Sequence, residues 1–243
     1  MAEVLVLVDH ANGEVRKTTA ELLTIARRFG EPSAVFVGDG LDAARETLAK
    51  YGAEKVYACS GDDITGHLVA PQAEVLAAIV QQVSPAAVLI PSNAEGKEIA
   101  ARLAIKTESG VITDAVDVEA GPDGEVVTTQ SVFAGSYTVK ARVTKGTPIV
   151  AVKPNSAAPE EAPGAAADAS VDVTISDAAK AAKIVESKEK QASGRPELTE
   201  AAIVVSGGRG TGGDFSKVEE FADSLGAAVG ASRAAVDAGW YPH

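Results

Sequence analysis

The chain has 243 residues, of which 46% are hydrophobic and 4% aromatic, and it carries a formal net charge of −12. This length allows one large or two smaller domains, and the apolar content is high enough for a buried core. The negative charge argues against nucleic acid as a partner, because phosphate backbones would repel the chain.

Cysteine content and the N-terminus favour a cytoplasmic location. Cys59 is the single cysteine, so the chain can form neither an internal disulfide nor a thiolate metal cluster, which fits a reducing compartment. The N-terminus enters an apolar run almost at once and has no basic region before it, so we expect no signal peptide. No apolar run reaches the length of a bilayer, so we expect no direct membrane insertion.

Strand-like and helix-like segments alternate through the first 106 residues. Short apolar runs predict strands at 3–9, 34–38, 55–59 and 86–90. Apolar residues at helical spacing predict helices at 18–29, 41–51, 66–83 and 95–106. This alternation is typical of a parallel α/β sheet with right-handed crossovers.

Beyond residue 110 the pattern changes to strands without helices. Period-two apolar patterns predict strands at 111–118, 126–133, 137–143 and 148–152, with a turn at 121–124. We interpret this region as an antiparallel extension of the parallel sheet. Residues 154–169 are rich in Pro and Ala and predict an exposed, mobile loop, followed by a strand at 171–175. The polar stretch 187–196 is a candidate interdomain linker.

A glycine-rich loop follows the next apolar run, at 201–206, and precedes a helical pattern at 215–225. Gly208, Gly210 and Gly213 satisfy the G-x-G-x-x-G spacing between a strand and a helix. Glycines in such a loop permit a tight turn and close approach of a pyrophosphate to backbone amides. The spacing predicts a nucleotide-binding loop, and a purely structural glycine turn is the alternative.

Arginines near the loop leave the identity of the nucleotide open. Arg209 lies within the loop and could contact a phosphate or an electron-rich ring, although most loop arginines are simply solvated. Dinucleotide-binding domains usually have an acidic residue after the next strand, where it binds a ribose hydroxyl, whereas this chain has Arg233 there. An arginine at this place favours the 2′-phosphate of NADP, so an NADP-binding oxidoreductase module is one reading from the motif alone.

Two sequence blocks carry a resemblance to a known family. Residues 206–210 (Ser-Gly-Gly-Arg-Gly) and 229–239 (Val-Gly-Ala-Ser-Arg-Ala-Ala-Val-Asp-Ala-Gly) resemble the FAD domain of electron-transfer flavoprotein alpha subunits. The preceding residues 195–198 (Arg-Pro-Glu-Leu) are similar to the family's entry to this domain. Residues 9–12 and 133–140 match its N-terminal domain more loosely. The resemblance covers essentially the whole chain.

The resemblance implies an electron carrier that contains FAD rather than an enzyme. Gly208, Arg209, Gly210, Ser232 and Arg233 are then the cofactor-binding residues, with no catalytic residue and no metal site. A guanidinium near the flavin would favour its reduced or anionic form. The implied partners are a beta subunit, acyl-CoA and related dehydrogenases as electron donors, and a membrane quinone oxidoreductase as the acceptor.

The same resemblance implies a division into domains. We predict an N-terminal α/β domain at 1–190 that pairs with the beta subunit, a linker at 191–198, and an incomplete doubly wound FAD-binding domain from 199 to 243. Family members continue with Gln-Thr-Gly-Lys and Ile-Ser-Gly-Ala-Ile-Gln-His segments, which this sequence lacks. We therefore expect the isolated chain to hold FAD weakly or not at all. A scaffold that only pairs subunits is the remaining alternative.

Other polar residues favour structural roles. His10, His67 and His243 have no metal-ligand spacing, and Cys59 fits a small buried hydrophobic residue. Asn93 follows a predicted strand, where open α/β sheets bind ligands, but a helix cap is the simpler interpretation.

Overall fold

The structure is a computed structural model that describes residues 2–188 and 194–242. The chain divides into two compact units, residues 1–186 and 187–243. Within the described ranges, no helix is long and apolar enough to cross a membrane. The predicted linker at 191–198 lies partly outside the described residues.

The first unit is an α/β structure, which confirms the predicted fold class. Its strands are β1 (Glu3–Leu7), β2 (His10–Ala11), β3 (Glu14–Val15), β4 (Glu31–Val37), β5 (Lys55–Cys59), β6 (Ala87–Pro91), β7 (Val111–Ala120), β8 (Val126–Val132), β9 (Tyr137–Arg142), β10 (Ile149–Val152) and β11 (Ala167–Ala169). Its helices are α1 (Lys17–Ala26), α2 (Leu41–Lys50), α3 (Asp62–Thr65), α4 (Ala70–Val83) and α5 (Ala94–Lys106). The predicted helix 66–83 begins later, at Ala70, because Pro71 fits only the first turn of a helix.

Nine strands form one sheet in the order β11-β5-β4-β1-β6-β10-β7-β8-β9, while β2 and β3 form a separate hairpin. Side chains of β1 alternate between two cores: Val4 and Val6 pack with α1 and α2, whereas Leu5 and Leu7 pack with α4 and α5. Because the sheet is covered on both faces, its central strands read as continuous apolar runs.

The antiparallel extension is present but smaller than predicted. β7, β8 and β9 pair antiparallel, whereas β10 returns into the parallel part and lies between β6 and β7. All four residues of β10 are buried, which a central position with helices on both sides explains.

The predicted loop at 154–169 ends in a strand, and the strand predicted at 171–175 is absent. β11 pairs parallel with β5 at the sheet edge instead. Up to Ala166 the segment has no regular structure, as predicted. Its backbone is nevertheless hydrogen-bonded to two helices. The Glu160 N–H donates to Thr24 Oγ1 of α1 at 3.0 Å, and the Gly164 N–H donates to the Ala49 carbonyl of α2 at 2.8 Å. The alternating pattern of residues 171–175 reflects packing without strand pairing. Val171, Val173 and Ile175 pack against the core that includes α4.

The second unit is a small parallel α/β arrangement. Strand β12 (Val204–Gly207) leads through a 3-10 turn (Arg209–Thr211) to helix α6 (Ser216–Leu225), then to strand β13 (Ala228–Ala231) and helix α7 (Arg233–Asp237). β12 and β13 pair in parallel. The strand predicted at 201–206 and the helix predicted at 215–225 are present, with the strand starting later.

Candidate nucleotide-binding site

The strand register brings the glycine loop and the Ser-Arg pair to one edge of the second unit. Gly207 at the end of β12 pairs with Ala231 at the end of β13. The Ser232 N–H then donates to the Gly207 carbonyl at 2.9 Å, which extends the pairing by one residue. Since the strands are parallel, the segments that follow them leave the sheet side by side.

A tight turn shapes the glycine loop. The Thr211 hydroxyl donates to the Gly208 carbonyl at 2.9 Å and accepts the Gly213 N–H at 3.3 Å. Gly212 and Gly213 have φ angles of +63° and +97°, in the left-handed region that side chains avoid. The last two loop glycines are therefore required by the backbone itself.

The glycines differ in what surrounds them. A Cβ on Gly207 would lie 2.5 Å from the Phe215 ring, and one on Gly208 would lie 3.3 Å from Ser232 Oγ. A Cβ on Gly210 would meet no atom within 4 Å. Packing within the unit therefore requires glycine at 207 and restricts residue 208, whereas Gly210 borders open space where a ligand can approach the backbone. The loop geometry fits a bound dinucleotide in this respect.

Ser232 links the two segments of the site. Its Oγ caps α7 by accepting the Ala235 N–H at 3.3 Å, and the same side chain lies against Gly208. A serine at a helix N-cap is favoured because it satisfies a backbone donor. The capping role fixes the side chain beside the glycine loop.

Both candidate arginines are exposed. Arg209 lies on the 3-10 turn. Arg233 is 91% exposed, and its Nε is 3.4 Å from Asp237 Oδ2, one helical turn away. Such exposed pairs contribute only about 0.3–0.5 kcal/mol, so Asp237 does not prevent Arg233 from reaching an anionic ligand.

A second set of contacts, which the sequence analysis missed, supports the helix behind the loop. Arg195 forms a bidentate pair with Asp223 on α6, with Nε–Oδ1 at 2.6 Å and Nη2–Oδ2 at 2.9 Å. The hydrogen bond from Arg195 lowers the pKa of Asp223. The Tyr241 hydroxyl donates to Glu219 at 3.2 Å, and its ring packs on Phe215 in a tilted arrangement with the ring centroids 4.6 Å apart. The motif at 195–198 was noticed only as a resemblance, and nothing in it indicated the partner on α6.

A cleft of about 780 Å³ lies beside β13 in the second unit. Its lining includes Arg195, Leu198, Val229, Ala231, Arg233 and Tyr241. Ligand pockets commonly measure roughly 300–1,000 Å³ and combine apolar walls with a few polar groups. The cleft therefore has the size of a ligand pocket, but Arg233 is the one predicted site residue among its lining, and the glycine loop does not line it.

The alternative location in the first unit is less suitable. A crevice of about 160 Å³ lies at the carboxyl ends of β1, β4 and β6, well below the usual pocket size. Asn93 caps α5 by accepting the Gly96 N–H at 2.7 Å, which confirms the helix-cap interpretation. His10 stacks on Phe36 at 4.1 Å, and its Nδ1 lies 3.2 Å from the Gly13 N–H, which donates to it. These residues have structural partners.

Metal coordination has no support from the residues that the structure describes. Across 2–188 and 194–242, no group of three or more His, Cys, Asp or Glu side chains is arranged to hold a metal ion. Cys59 is half-buried, and burial raises the pKa of its thiol.

The parallel sheets and the glycine loop define the class as α/β proteins with a nucleotide-binding-like fold. A family model described as the electron transfer flavoprotein domain matches residues 4–185, and one described as the electron transfer flavoprotein FAD-binding domain matches residues 197–243. Relatives named electron transfer flavoprotein subunit alpha share 46% identity in Mycobacterium leprae and 48% in Mycobacterium tuberculosis, in both cases over 100% of this chain and 76% of the relative. One from Syntrophomonas wolfei is 38% identical over 100% of the chain and 77% of the relative.

The chain therefore belongs to the family of electron transfer flavoprotein alpha subunits. The resemblance seen in the two glycine-containing blocks is confirmed, and an electron-transfer role follows from the family.

Proposed function

We propose that this chain is the FAD-bearing subunit of a cytoplasmic electron carrier. It accepts electrons from acyl-CoA and related dehydrogenases and passes them to a membrane quinone oxidoreductase. The observation that carries the proposal is the hydrogen bond from the Ser232 N–H to the Gly207 carbonyl at 2.9 Å, which brings the Ser-Arg pair beside the start of the glycine loop at one edge of the second unit. The match of residues 197–243 to an FAD-binding domain supports the choice of cofactor.

Five residues are proposed to hold the cofactor. Gly208 and Gly210 allow the backbone to approach it, and the space next to Gly210 is open on the protein side. Ser232 offers a hydroxyl beside the loop, and Arg209 and Arg233 supply positive charge. FAD supplies reversible redox chemistry when bound. The positive charges would stabilise the reduced, more negative flavin and so raise its potential.

The chain itself needs no nucleophile, general acid or metal for this role. A carrier must hold its cofactor, set its potential and present it to other proteins. We propose that residues 191–198 link the first unit to the cofactor unit.

We further propose that the first unit pairs with a beta subunit through the β8–β9 hairpin. Phe133 and Tyr137 at its tip are 78% and 65% exposed, and Val139 is 41% exposed. Exposed apolar groups that lie together are typical of protein interfaces. The names of the relatives identify them as subunits, which supports an assembly of this kind.

The test is the visible absorbance of the purified chain, alone and co-expressed with a beta subunit. We expect a flavin spectrum in the complex that bleaches when an acyl-CoA dehydrogenase and its substrate are added. A colourless complex that binds NADP would favour the oxidoreductase alternative, and a colourless complex that binds neither nucleotide would favour a pairing scaffold.

A further inference from the structure

We propose that residues 170–185, which we call the strap, detach from the first unit as one local step, and that Glu74 of α4 is the latch that holds them. The strap follows β11 directly and ends shortly before the proposed link at 191–198. Its detachment would free the chain back to Ala169, the last residue of β11, and so lengthen the connection to the second unit.

The latch is a carboxylate that accepts hydrogen bonds from two segments. Glu74 Oε1 accepts from the Ser176 hydroxyl at 2.7 Å, and Oε2 accepts from the Ser176 N–H at 2.8 Å. The Lys106 ammonium of α5 also donates to Oε1, at 2.7 Å.

The charge of Glu74 strengthens these bonds. Its side chain is only 12% exposed. Burial raises the pKa of this carboxyl, but the hydrogen bonds from Lys106 and Ser176 outweigh burial and lower the pKa below its ordinary value. Glu74 is therefore ionised at neutral pH, and hydrogen bonds to an ionised acceptor are stronger than those between neutral groups.

Apart from the latch, the strap is held by few buried groups. Residues 170–185 contain no helix or strand. Ile175 and Ala179 are the buried apolar side chains of the strap, whereas Val185 is 96% exposed. The ion pair of Lys180 with Asp63, at 3.1 Å, lies at the surface. Segments with little apolar burial and exposed hydrogen bonds open at a lower free energy than the core, so the strap meets the conditions for local opening.

The attached strap also borders a buried nitrogen that lacks a partner. Lys183 pairs with His67 in an antiparallel bridge, and the Ile184 N–H donates to the Gly66 carbonyl at 3.0 Å. Among the described residues, no group is hydrogen-bonded to the buried Nδ1 of His67. A buried polar atom without a partner costs free energy, which contact with water recovers. Opening would bring water to this nitrogen, so His67 favours the open strap while Glu74 favours the attached one.

Hydrogen exchange of single amides in the full chain tests the latch directly. The N–H groups of Ala179 and Ile184 are hydrogen-bonded, but neither of them to Glu74. They therefore respond to the loss of Glu74 only when the strap opens as a whole. Glu74→Ala should accelerate their exchange about tenfold, while the amides of β1 and β6 keep their protection. Glu74→Gln keeps an oxygen acceptor without the charge, so it should give a smaller acceleration.

The matched control is Glu98→Ala. Glu98 is an exposed carboxylate on α5 that pairs with Arg102 of the same helix at 2.8 Å. This variant removes an ion pair of the first unit but leaves the latch intact, so exchange at Ala179 and Ile184 should stay at the wild-type rate.

Limited trypsin digestion gives a second readout. Lys180 and Lys183 lie within the strap, and cleavage after either residue requires the strap to be open. When opening and closing are fast, the cleavage rate follows the population of the open form. Mass analysis of the fragments should show cleavage at these sites about tenfold faster in Glu74→Ala than in the wild type or in Glu98→Ala.

Two results would overturn the proposal. One is unchanged exchange at Ala179 and Ile184 in Glu74→Ala. The other is an equal acceleration in β1 and β6, which would show that Glu74 stabilises the whole unit rather than the strap. If Glu74→Ala fails to fold, Ser176→Ala replaces it, because it removes one of the two donors on the strap side, and the same criteria apply at Ile184.

Discussion

The two units differ sharply in how they bury apolar side chains. Among the described residues, every one of the largest fully buried side chains, including Leu5, Phe36, Leu89 and Ile149, belongs to the first unit. In the second unit the buried hydrophobic residues are Phe215 and several alanines. Strand and helix residues of the second unit, such as Val204 and Phe221, remain substantially exposed. The first unit therefore has the larger apolar core, whereas the second carries exposed arginines and loop glycines suited to a ligand.

A core substitution in the first unit should give the largest effect. Leu89 is fully buried in the central strand β6, so Leu89→Ala should lower the free energy of unfolding by roughly 2–5 kcal/mol through lost contacts and a cavity. Leu225→Ala in the second unit, where the side chain is 44% exposed, should cost less than about 1 kcal/mol. Urea denaturation followed by circular dichroism measures the unfolding free energy of both variants. Equal losses in Leu89→Ala and Leu225→Ala would contradict the conclusion that the two units differ in apolar burial.

Glycine substitutions should separate stability from ligand binding inside the second unit. Gly207→Ala would force a methyl group to 2.5 Å from Phe215, so it should destabilise the unit by about 1–3 kcal/mol. Gly210→Ala meets no neighbour within 4 Å, so stability should stay within about 0.5 kcal/mol while FAD affinity falls. Thermal unfolding and FAD titration give the two values. Unchanged FAD affinity in Gly210→Ala would indicate that the open space holds no cofactor.

The sequence predicted most of the first unit because its pattern is local. Continuous apolar runs and helical spacing indicated the parallel strands and their helices, since burial on both faces leaves a clear signal. The return of β10 to the sheet interior was missed because strand order depends on distant partners. The strand predicted at 171–175 was wrong because a period-two pattern also arises when alternate side chains pack on a core without strand pairing.

The candidate site was predictable to a smaller extent. The glycine spacing located the loop, and a family resemblance indicated Ser232 and Arg233. The different surroundings of Gly207 and Gly210 depend on Phe215 and on open space, which the spacing does not encode. The Arg195–Asp223 pair joins residues far apart in the chain, so only the structure shows it.

Alkaline pH should weaken the first unit. Burial and the nearby Glu3 carboxylate, which accepts a hydrogen bond from the hydroxyl at 3.1 Å, raise the pKa of Tyr57 to about 12. The unfolded tyrosine ionises near its ordinary pKa of about 10. The stabilising effect is therefore complete below about pH 10 and is lost as the pH rises towards about 12. Tyr57→Phe should show a shallower loss of stability across this window, and an identical loss would exclude Tyr57 as its cause.

Acidic pH should produce a smaller effect at the Arg195–Asp223 pair of the second unit. The hydrogen bond from Arg195 lowers the pKa of Asp223 in the folded state. The contribution of this pair is present above the ordinary carboxylate pKa of about 3.9 and is lost as the pH falls through the lower folded value. Thermal unfolding between about pH 5 and pH 2 should therefore show a smaller pH dependence in Asp223→Asn than in the wild type. An unchanged dependence would show that the exposed pair contributes nothing measurable.

The most direct test of the ligand role of the second unit is FAD binding by the chain co-expressed with a beta subunit, for the wild type and for the Arg209→Ala/Arg233→Ala double variant. We predict that FAD affinity falls on the order of tenfold or more when both charges are removed, while the urea transition of the first unit is unchanged. NADP should not displace FAD. Equal FAD affinity in the two proteins, or displacement by NADP, would contradict the assignment of this loop and its arginines to the flavin.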